Sequence, residues 1–197
     1  MRKPGEKLNN KSRKNWIEQL IHSTMRAVGI EIERKQNPTG VNMSYNFILN
    51  YIGYDVKRIE EAIKEMQAQI SLECYIKAFT LHELGHALDR KALLDSLTKT
   101  LDFYEMKKNH TIYEQYSDYN LLSRLIEEHE MNIAFEETAW ANAEKLNMEY
   151  GIVDWDSFEK AKNHGMATYL KLYEKDLEVY NKLVSEQTDV GRPFLFA

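Results

Sequence analysis

The sequence predicts a helix-rich α+β fold, with a small sheet early in the chain and several long helices after it. The 197 residues include three prolines and eight glycines, and such low counts favour long helices over sandwiches or barrels. Extended and alternating patterns are confined to residues 30–57, whereas helical periodicity dominates from residue 58 onward. Strands followed by a run of helices are typical of the α+β class.

The first part of the chain combines one helix with short strands. Residues 1–11 are rich in basic side chains and are predicted to form a flexible arm. Residues 12–28 repeat apolar side chains at helical spacing. Residues 30–33 read Ile-Glu-Ile-Glu, which indicates a strand with one buried face. Residues 43–57 are extended in character, and Gly53 indicates a bulge or a tight turn between two short strands.

Helical patterns account for the rest of the chain. A helix is predicted from about residue 72 to about residue 97, with Ser71 as its N-cap. Further helices are predicted over residues 98–109, 117–149 and 155–187. The length of the chain suits one domain, or one domain with an extension.

Composition and charge limit the classes of function. The formal net charge of −5 argues against broad binding to nucleic acid or to anionic membranes. No stretch approaches the length of a membrane span, and no N-terminal apolar region has the pattern of a signal peptide. The single cysteine, Cys74, excludes a disulfide framework within the chain. We therefore expect a cytoplasmic protein that binds neither nucleic acid nor membranes.

The pentad His82-Glu83-Leu84-Gly85-His86 carries the clearest chemistry. Helical residues four apart share one face at about 6 Å, so His82 and His86 can both present nitrogen to one zinc ion. Glu83 is rotated by about 100° from His82, which suits a general base acting on a water at the metal. Gly85 costs about 1 kcal/mol inside a helix and predicts the close passage of another backbone. The pattern therefore indicates a zinc-dependent hydrolase.

A catalytic zinc site usually has three protein ligands and one open position. The helical segment around residues 133–140 is the best source of the third ligand. Glu136 would complete a set of two histidines and one glutamate, and Glu137 is its rival. Glu130 and His129 are weaker candidates, and a solvated role for both Glu136 and Glu137 is the remaining alternative.

Two segments resemble a known family. Residues Thr80–Asp89 resemble the active-site helix of the gluzincins, and Glu136–Trp140 resemble the second gluzincin motif, a glutamate followed three residues on by a small residue. This alignment selects Glu136 over Glu137 as the third ligand. The combination is most similar to the compact ImmA/IrrE-type metallopeptidases of bacteria and their mobile elements, and more distantly to the lethal-factor-like zincins.

The resemblance implies a minimal zincin fold and a zinc-dependent endopeptidase. It implies Zn²⁺ held by His82, His86 and Glu136, with Glu83 as the catalytic base. Residues 12–197 would form a single domain with a helical insertion at about 98–128. A peptide or protein is the implied substrate, and a regulatory protein is one candidate. Residues Asn46–Ile52 would supply the edge strand that pairs with an extended substrate.

The sequence departs from the gluzincin pattern in two ways, the first being a distance from His86 to Glu136 that is long for a compact member. Trp140 stands where many gluzincins have an aspartate that orients a ligating histidine, and Asp89 is our candidate for that outer carboxylate. The oxyanion donor is left open among Tyr119, His164, Tyr169 and Tyr173. Two other functions therefore compete with the enzyme: a zinc-binding interaction module with vestigial catalysis, and a protein that uses the metal only as a structural clamp. An intact Glu83 argues against the clamp.

Overall fold

The computed structural model describes residues 10–190, with side chains described for residues 12–186. Most of the predicted arm at residues 1–11 therefore lies outside the described residues, and its last two residues begin the first helix. Most of the residues within 10–190 are helical, and a small sheet precedes the long helices. The predicted helix-rich α+β class is confirmed.

The described elements follow one another in a simple order. They are α1 (Asn10–Ala27), β1 (Glu33–Gln36), β2 (Met43–Asn46), β3 (Tyr51–Tyr54), α2 (Val56–Glu65), α3 (Leu72–Leu88), α4 (Arg90–Asp95), α5 (Leu97–Asn109), α6 (Ile112–Ser117), α7 (Tyr119–Tyr150) and α8 (Trp155–Val190). None of the helices within residues 10–190 is long and apolar enough to cross a membrane.

The three strands form one sheet in the order β1-β3-β2. β1 runs parallel to β3, with Glu33 opposite Tyr51, and β2 runs antiparallel to β3, with Met43 opposite Tyr54. The central strand is thus β3, and β1 and β2 are the edges. The expectation that Asn46–Ile52 forms an edge strand is wrong, because this range ends β2, makes the connecting turn and begins the central strand.

Local turn chemistry explains that error. The side chain of Asn46 accepts a hydrogen bond from the backbone N–H of Leu49 at 2.8 Å, and Asn50 adopts a left-handed conformation with φ of 55°. Asparagine favours both arrangements, so the chain reverses at residues 47–50. Two hydrogen bonds from Arg90 stabilise this turn. Its Nε donates to the carbonyl of Phe47 at 2.8 Å and its Nη2 donates to the carbonyl of Ile48 at 3.2 Å.

Three further boundaries differ from the predicted ones. The first strand lies at Glu33–Gln36 and not at residues 30–33. Gly53 forms no bulge; it lies in β3, where an added Cβ would be 3.2 Å from the hydroxyl oxygen of Ser44 on β2. The helix predicted to continue to about residue 97 breaks at Asp89, whose φ and ψ of −101° and 21° leave the helical region.

The described chain folds into two compact units. The first contains the described residues up to Arg90 together with Glu137–His164, and the second contains Lys91–Glu136 together with the described residues from Gly165 onward. In the first unit, α3 packs against α1, α2 and β2. Its largest fully buried side chains include Ile17, Ile21, Met25, Ile52, Tyr75, Ile76, Leu81 and Leu84. The helix that carries the histidine pair therefore lies in the core of this unit.

The second unit has its own apolar cluster and a buried polar network. Met106, Leu122 and Leu125 form the cluster, against which Tyr116, Leu121, Val179, Tyr180 and Leu183 pack. The carboxylate of Asp176, 5% exposed, accepts a hydrogen bond from the Tyr116 hydroxyl at 2.7 Å and lies 2.8 Å from Nε2 of His129. This carboxylate joins side chains from α6, α7 and α8.

Raising the pH from about 10 to about 12 is expected to destabilise the protein through Tyr116. Burial, together with the hydrogen bond and negative charge of Asp176, raises the pKa of Tyr116 from 10.0 to about 12. A pKa that is raised on folding stabilises the protein below the unfolded pKa, and this stability is lost as the pH rises through the folded pKa.

Urea unfolding at the two pH values measures the effect. The midpoint should fall at the higher pH, and it should fall less in Tyr116→Phe, which lacks the titrating hydroxyl. An equal fall in both proteins would contradict this role of Tyr116.

Candidate metal centre

The candidate site is built on α3, and local signals place that helix. The hydroxyl of Ser71 accepts a hydrogen bond from the backbone N–H of Cys74 at 3.0 Å, so the predicted N-cap is confirmed. Near the C-terminal end of the helix, His82 is 5% exposed and Glu83 is 4% exposed. Adjacent ionisable residues are rarely both buried in a core helix, and this position favours a functional role for the pair.

The close approach of a second helix confirms the prediction for Gly85. A Cβ added at Gly85 would lie 2.8 Å from the carbonyl carbon of Ala139 and closer still to its oxygen. The backbone of α7 therefore passes directly over the backbone of α3 at this point. The side-chain amide of Asn142 also donates to the Gly85 carbonyl at 3.2 Å. Only glycine allows this crossing, which is why a residue that weakens helices is found inside α3.

This crossing lies one helical turn from Glu136, and the structure brings Glu136 to the histidine pair. His82, His86 and Glu136 each offer one ligand atom, and these atoms all lie within 4.8 Å of one another. His82 and Glu136 are buried, and His86 is half-buried. Two imidazole nitrogens and one carboxylate oxygen form a donor set suited to a divalent transition metal, and zinc in hydrolases uses this set with one position left open.

The other candidate ligands lie elsewhere. Glu137 is exposed. Glu130 is exposed and accepts a hydrogen bond from the Tyr173 hydroxyl at 3.2 Å, and His129 is bound to Asp176 within the second unit. Of the two neighbouring glutamates, which periodicity alone left open, the structure therefore groups Glu136 with the histidines and leaves Glu137 exposed.

An aromatic cluster forms the wall of the site behind His82. The Trp140 ring stacks on the His82 ring, with centroids 4.3 Å apart and planes 23° apart. Trp140 is fully buried, and the rings of Phe79 and Phe158 pack against it in T-shaped arrangements at centroid distances of 5.5 and 5.8 Å. From the sequence, Trp140 was notable only as a departure from the family pattern. Its spacing of four residues from Glu136 was the available signal, because such residues share one helical face.

The candidates for the outer carboxylate and for the oxyanion donor lie at separate places in the fold. Asp89, our candidate outer carboxylate, is the C-cap of α3, and its backbone N–H donates to the carbonyl of His86 at 3.1 Å. Burial lowers the pKa of His164, which also senses the charges of Glu65 and Arg58 on α2. In the second unit, the Tyr119 hydroxyl accepts from Tyr180 at 2.8 Å. The oxyanion donor stays unassigned among these groups.

Tyr75 lies two helical turns before His82 on α3. Burial raises the pKa of Tyr75 to about 12, and the negative charges of Glu65 and Glu83 add smaller contributions in the same direction. Its hydroxyl accepts a hydrogen bond from the side-chain amide of Asn42 at 2.6 Å. Tyr75 is therefore a buried phenol on the helix that carries the histidines, and no sequence pattern pointed to it.

Comparisons with known proteins leave the site to be interpreted on its own chemistry. No protein-family model matches the chain, and no curated protein or solved structure matches it. The donor set, its burial and the helix crossing therefore carry the functional argument.

Gly85→Ala is expected to destabilise the protein by about 3 kcal/mol, the upper part of the usual range for overpacking. The added methyl group would meet the backbone of Ala139, which no side-chain rotation can relieve. Thermal or urea unfolding measures the loss. Adding Ala139→Gly should not restore stability, because the obstruction is the peptide carbonyl, and recovery in the double variant would show that the contact is between side chains.

Glu136→Ala is expected to weaken zinc binding by a much larger factor than Glu137→Ala does. Glu136 supplies the carboxylate beside the histidines, whereas Glu137 is exposed to solvent. Competition with a chromogenic chelator measures both affinities, and His82→Ala provides the reference for loss of a ligand. If Glu137→Ala caused the larger loss, the assignment of Glu136 would be wrong.

Proposed function

We propose that this chain is a zinc-dependent endopeptidase, in which His82, His86 and Glu136 hold the metal and Glu83 is the general base. The observation that carries the proposal is the grouping of two imidazoles and one carboxylate within 4.8 Å, next to a buried glutamate on the same helix as the histidines. The two motifs that resemble the gluzincins support it, and on that resemblance we propose that the chain is related to the ImmA/IrrE-type metallopeptidases.

The residues of the site divide the chemistry among them. Zinc, when bound, supplies a Lewis acid and lowers the pKa of a bound water to about 7. Glu83 follows His82 directly and is rotated away from the ligand face by about 100°, so its carboxylate serves the water and not the metal. It accepts the proton as the water oxygen bonds to the peptide carbonyl carbon. It then returns the proton to the amine that leaves as the C–N bond breaks.

The edge strand β2 is the proposed docking strand for the substrate. In the described sheet β2 pairs with β3 alone, and it packs beside α3, which carries the histidines. An unpaired strand edge offers backbone donors and acceptors to an extended peptide. We therefore propose an extended segment of a peptide or protein as the substrate, bound along Met43–Asn46 in place of the range expected from the sequence.

A second function is favoured by one observation. Trp140 replaces the aspartate that orients a histidine in many gluzincins, and the loss of that carboxylate is compatible with a zinc-binding module that captures a peptide without cleaving it. Both functions use the same metal ligands and the same docking strand. They differ in whether Glu83 acts as a base, and this difference can be tested directly.

Glu83→Gln is expected to reduce peptide hydrolysis by about 10²- to 10⁴-fold, the usual value of a general base. Zinc content should be unchanged, because Glu83 is not a proposed ligand and glutamine keeps its size. A peptide library with mass-spectrometric detection, run at equal zinc occupancy, measures cleavage without a known substrate. Glu137→Gln is the matched control: it makes the same substitution at an exposed neighbour of the metal ligand and should cleave like the wild type.

Two outcomes would contradict the enzyme. Equal cleavage by the wild type and by Glu83→Gln would identify a contaminating protease or another base. Binding of extended peptides without cleavage by any of the three proteins would favour the zinc-binding module.

A further inference from the structure

Trp140 makes the closest ring contact to a proposed metal ligand among the described residues outside the ligand set. Its ring lies 4.3 Å from the His82 ring at an interplanar angle of 23°, so the two rings meet face to face. Phe79 and Phe158 meet Trp140 at 79° and 77°. The indole is thereby fixed on its own flanks while its face lies against the imidazole.

The position of Trp140 is set by the same crossing that places Glu136. Trp140 follows Ala139, whose carbonyl lies against Gly85, and it follows Glu136 by four residues on one continuous helix. Residues four apart share a helical face. One turn of α7 therefore places the Glu136 carboxylate beside the two histidines and the Trp140 ring against His82.

The indole N–H of Trp140 shows whether the hydrogen-bond donor or the aromatic face of this residue contributes to its packing. Nε1 of Trp140 is buried and has no hydrogen-bond partner among the described residues. A buried donor without a partner costs free energy, and a phenylalanine would avoid that cost. The residue is therefore suited to its place by its broad face and not by its donor.

A ring face can do part of what an outer carboxylate does. A ligating imidazole must be held in the plane that directs its nitrogen at the metal, and a stacked indole restricts that plane by contact. A bound metal ion also withdraws electron density from the imidazole and makes the ring more positive, and the electron-rich face of tryptophan attracts a positively charged group. Both effects favour the metal-bound form of His82.

We propose that Trp140 is a positioning residue for His82, which takes the place of the missing aspartate and strengthens metal binding through its face. This inference rests on the metal ligands of the proposed function. It predicts that metal affinity depends on an aromatic ring at position 140 and that the indole senses an ion bound at the site.

Zinc affinity in matched variants tests the first part. Trp140→Leu should weaken zinc binding by about 10- to 100-fold, the usual effect of losing a group that orients a ligand. Trp140→Phe should restore most of the affinity because it keeps a ring face. Trp155→Leu is the control, since Trp155 stacks on Phe158 and not on a histidine; it should bind zinc like the wild type.

Indole fluorescence tests the second part, and it does so even if Trp140→Leu fails to fold. The chain has three tryptophans, so Trp16→Phe combined with Trp155→Phe leaves Trp140 as the single emitter. Cobalt(II), which quenches indole emission at short range, should quench Trp140 in proportion to occupancy and saturate at one ion per chain. Quenching reports that the indole lies beside the bound ion, and the affinities of the Leu and Phe variants at position 140 separate positioning from proximity alone.

The outcomes separate this inference from the proposed function. Wild-type affinity in Trp140→Leu, or stoichiometric cobalt binding without quenching of Trp140, would overturn the inference alone. The expected ranking of affinities without any hydrolysis would support the inference and count against the peptidase. Absence of stoichiometric metal from the wild type would overturn both.

Discussion

The contact between the Gly85 backbone and the Ala139 carbonyl is the constraint on which the candidate site depends. Because backbone meets backbone, no rotamer can absorb a shift of one helix against the other. The register of α7 on α3 is fixed there, and it determines which of two adjacent glutamates turns inward and which ring covers His82. Had α7 been rotated by one residue, about 100°, the same sequence would present Glu137 to the histidines and turn Trp140 away from His82.

Much of the site could be predicted because its parts are local. The four-residue spacing of His82 and His86 places both on one helical face whatever surrounds the helix, and the cost of Gly85 inside a helix predicted a close crossing. The choice of Glu136 over Glu137 was different. Helical periodicity describes a face only to within about one residue, so the choice came from a family resemblance, and the structure places Glu136 beside the histidines.

Features that depend on distant partners could not be predicted. The predicted limits of the strands were wrong because strand pairing determines them. β1 pairs in parallel with β3, with residue 33 opposite residue 51, and no local sequence pattern specifies this pairing. The His129–Asp176 pair joins residues 47 positions apart, and the stacking of Trp140 on His82 joins residues further apart still. The turn at residues 47–50 was hidden because its apolar side chains resemble those of a strand. The asparagines on either side carried the signal that was overlooked.

The bonds from Arg90 to the hairpin turn bear on how this protein could change over evolution. Arg90 donates hydrogen bonds to the backbone carbonyls of Phe47 and Ile48. Because these acceptors belong to the backbone, a substitution at either position keeps them as long as the turn keeps its conformation. Ile48 and Leu49 are 54% and 64% exposed, and exposed positions of this kind usually change stability by less than about 0.5 kcal/mol on substitution. The turn joins the proposed docking strand to β3, so its side chains can diversify while the backbone stays anchored beside the end of α3. Substitutions in the turn could therefore change what lies beside the proposed docking strand without altering the residues of the candidate metal site.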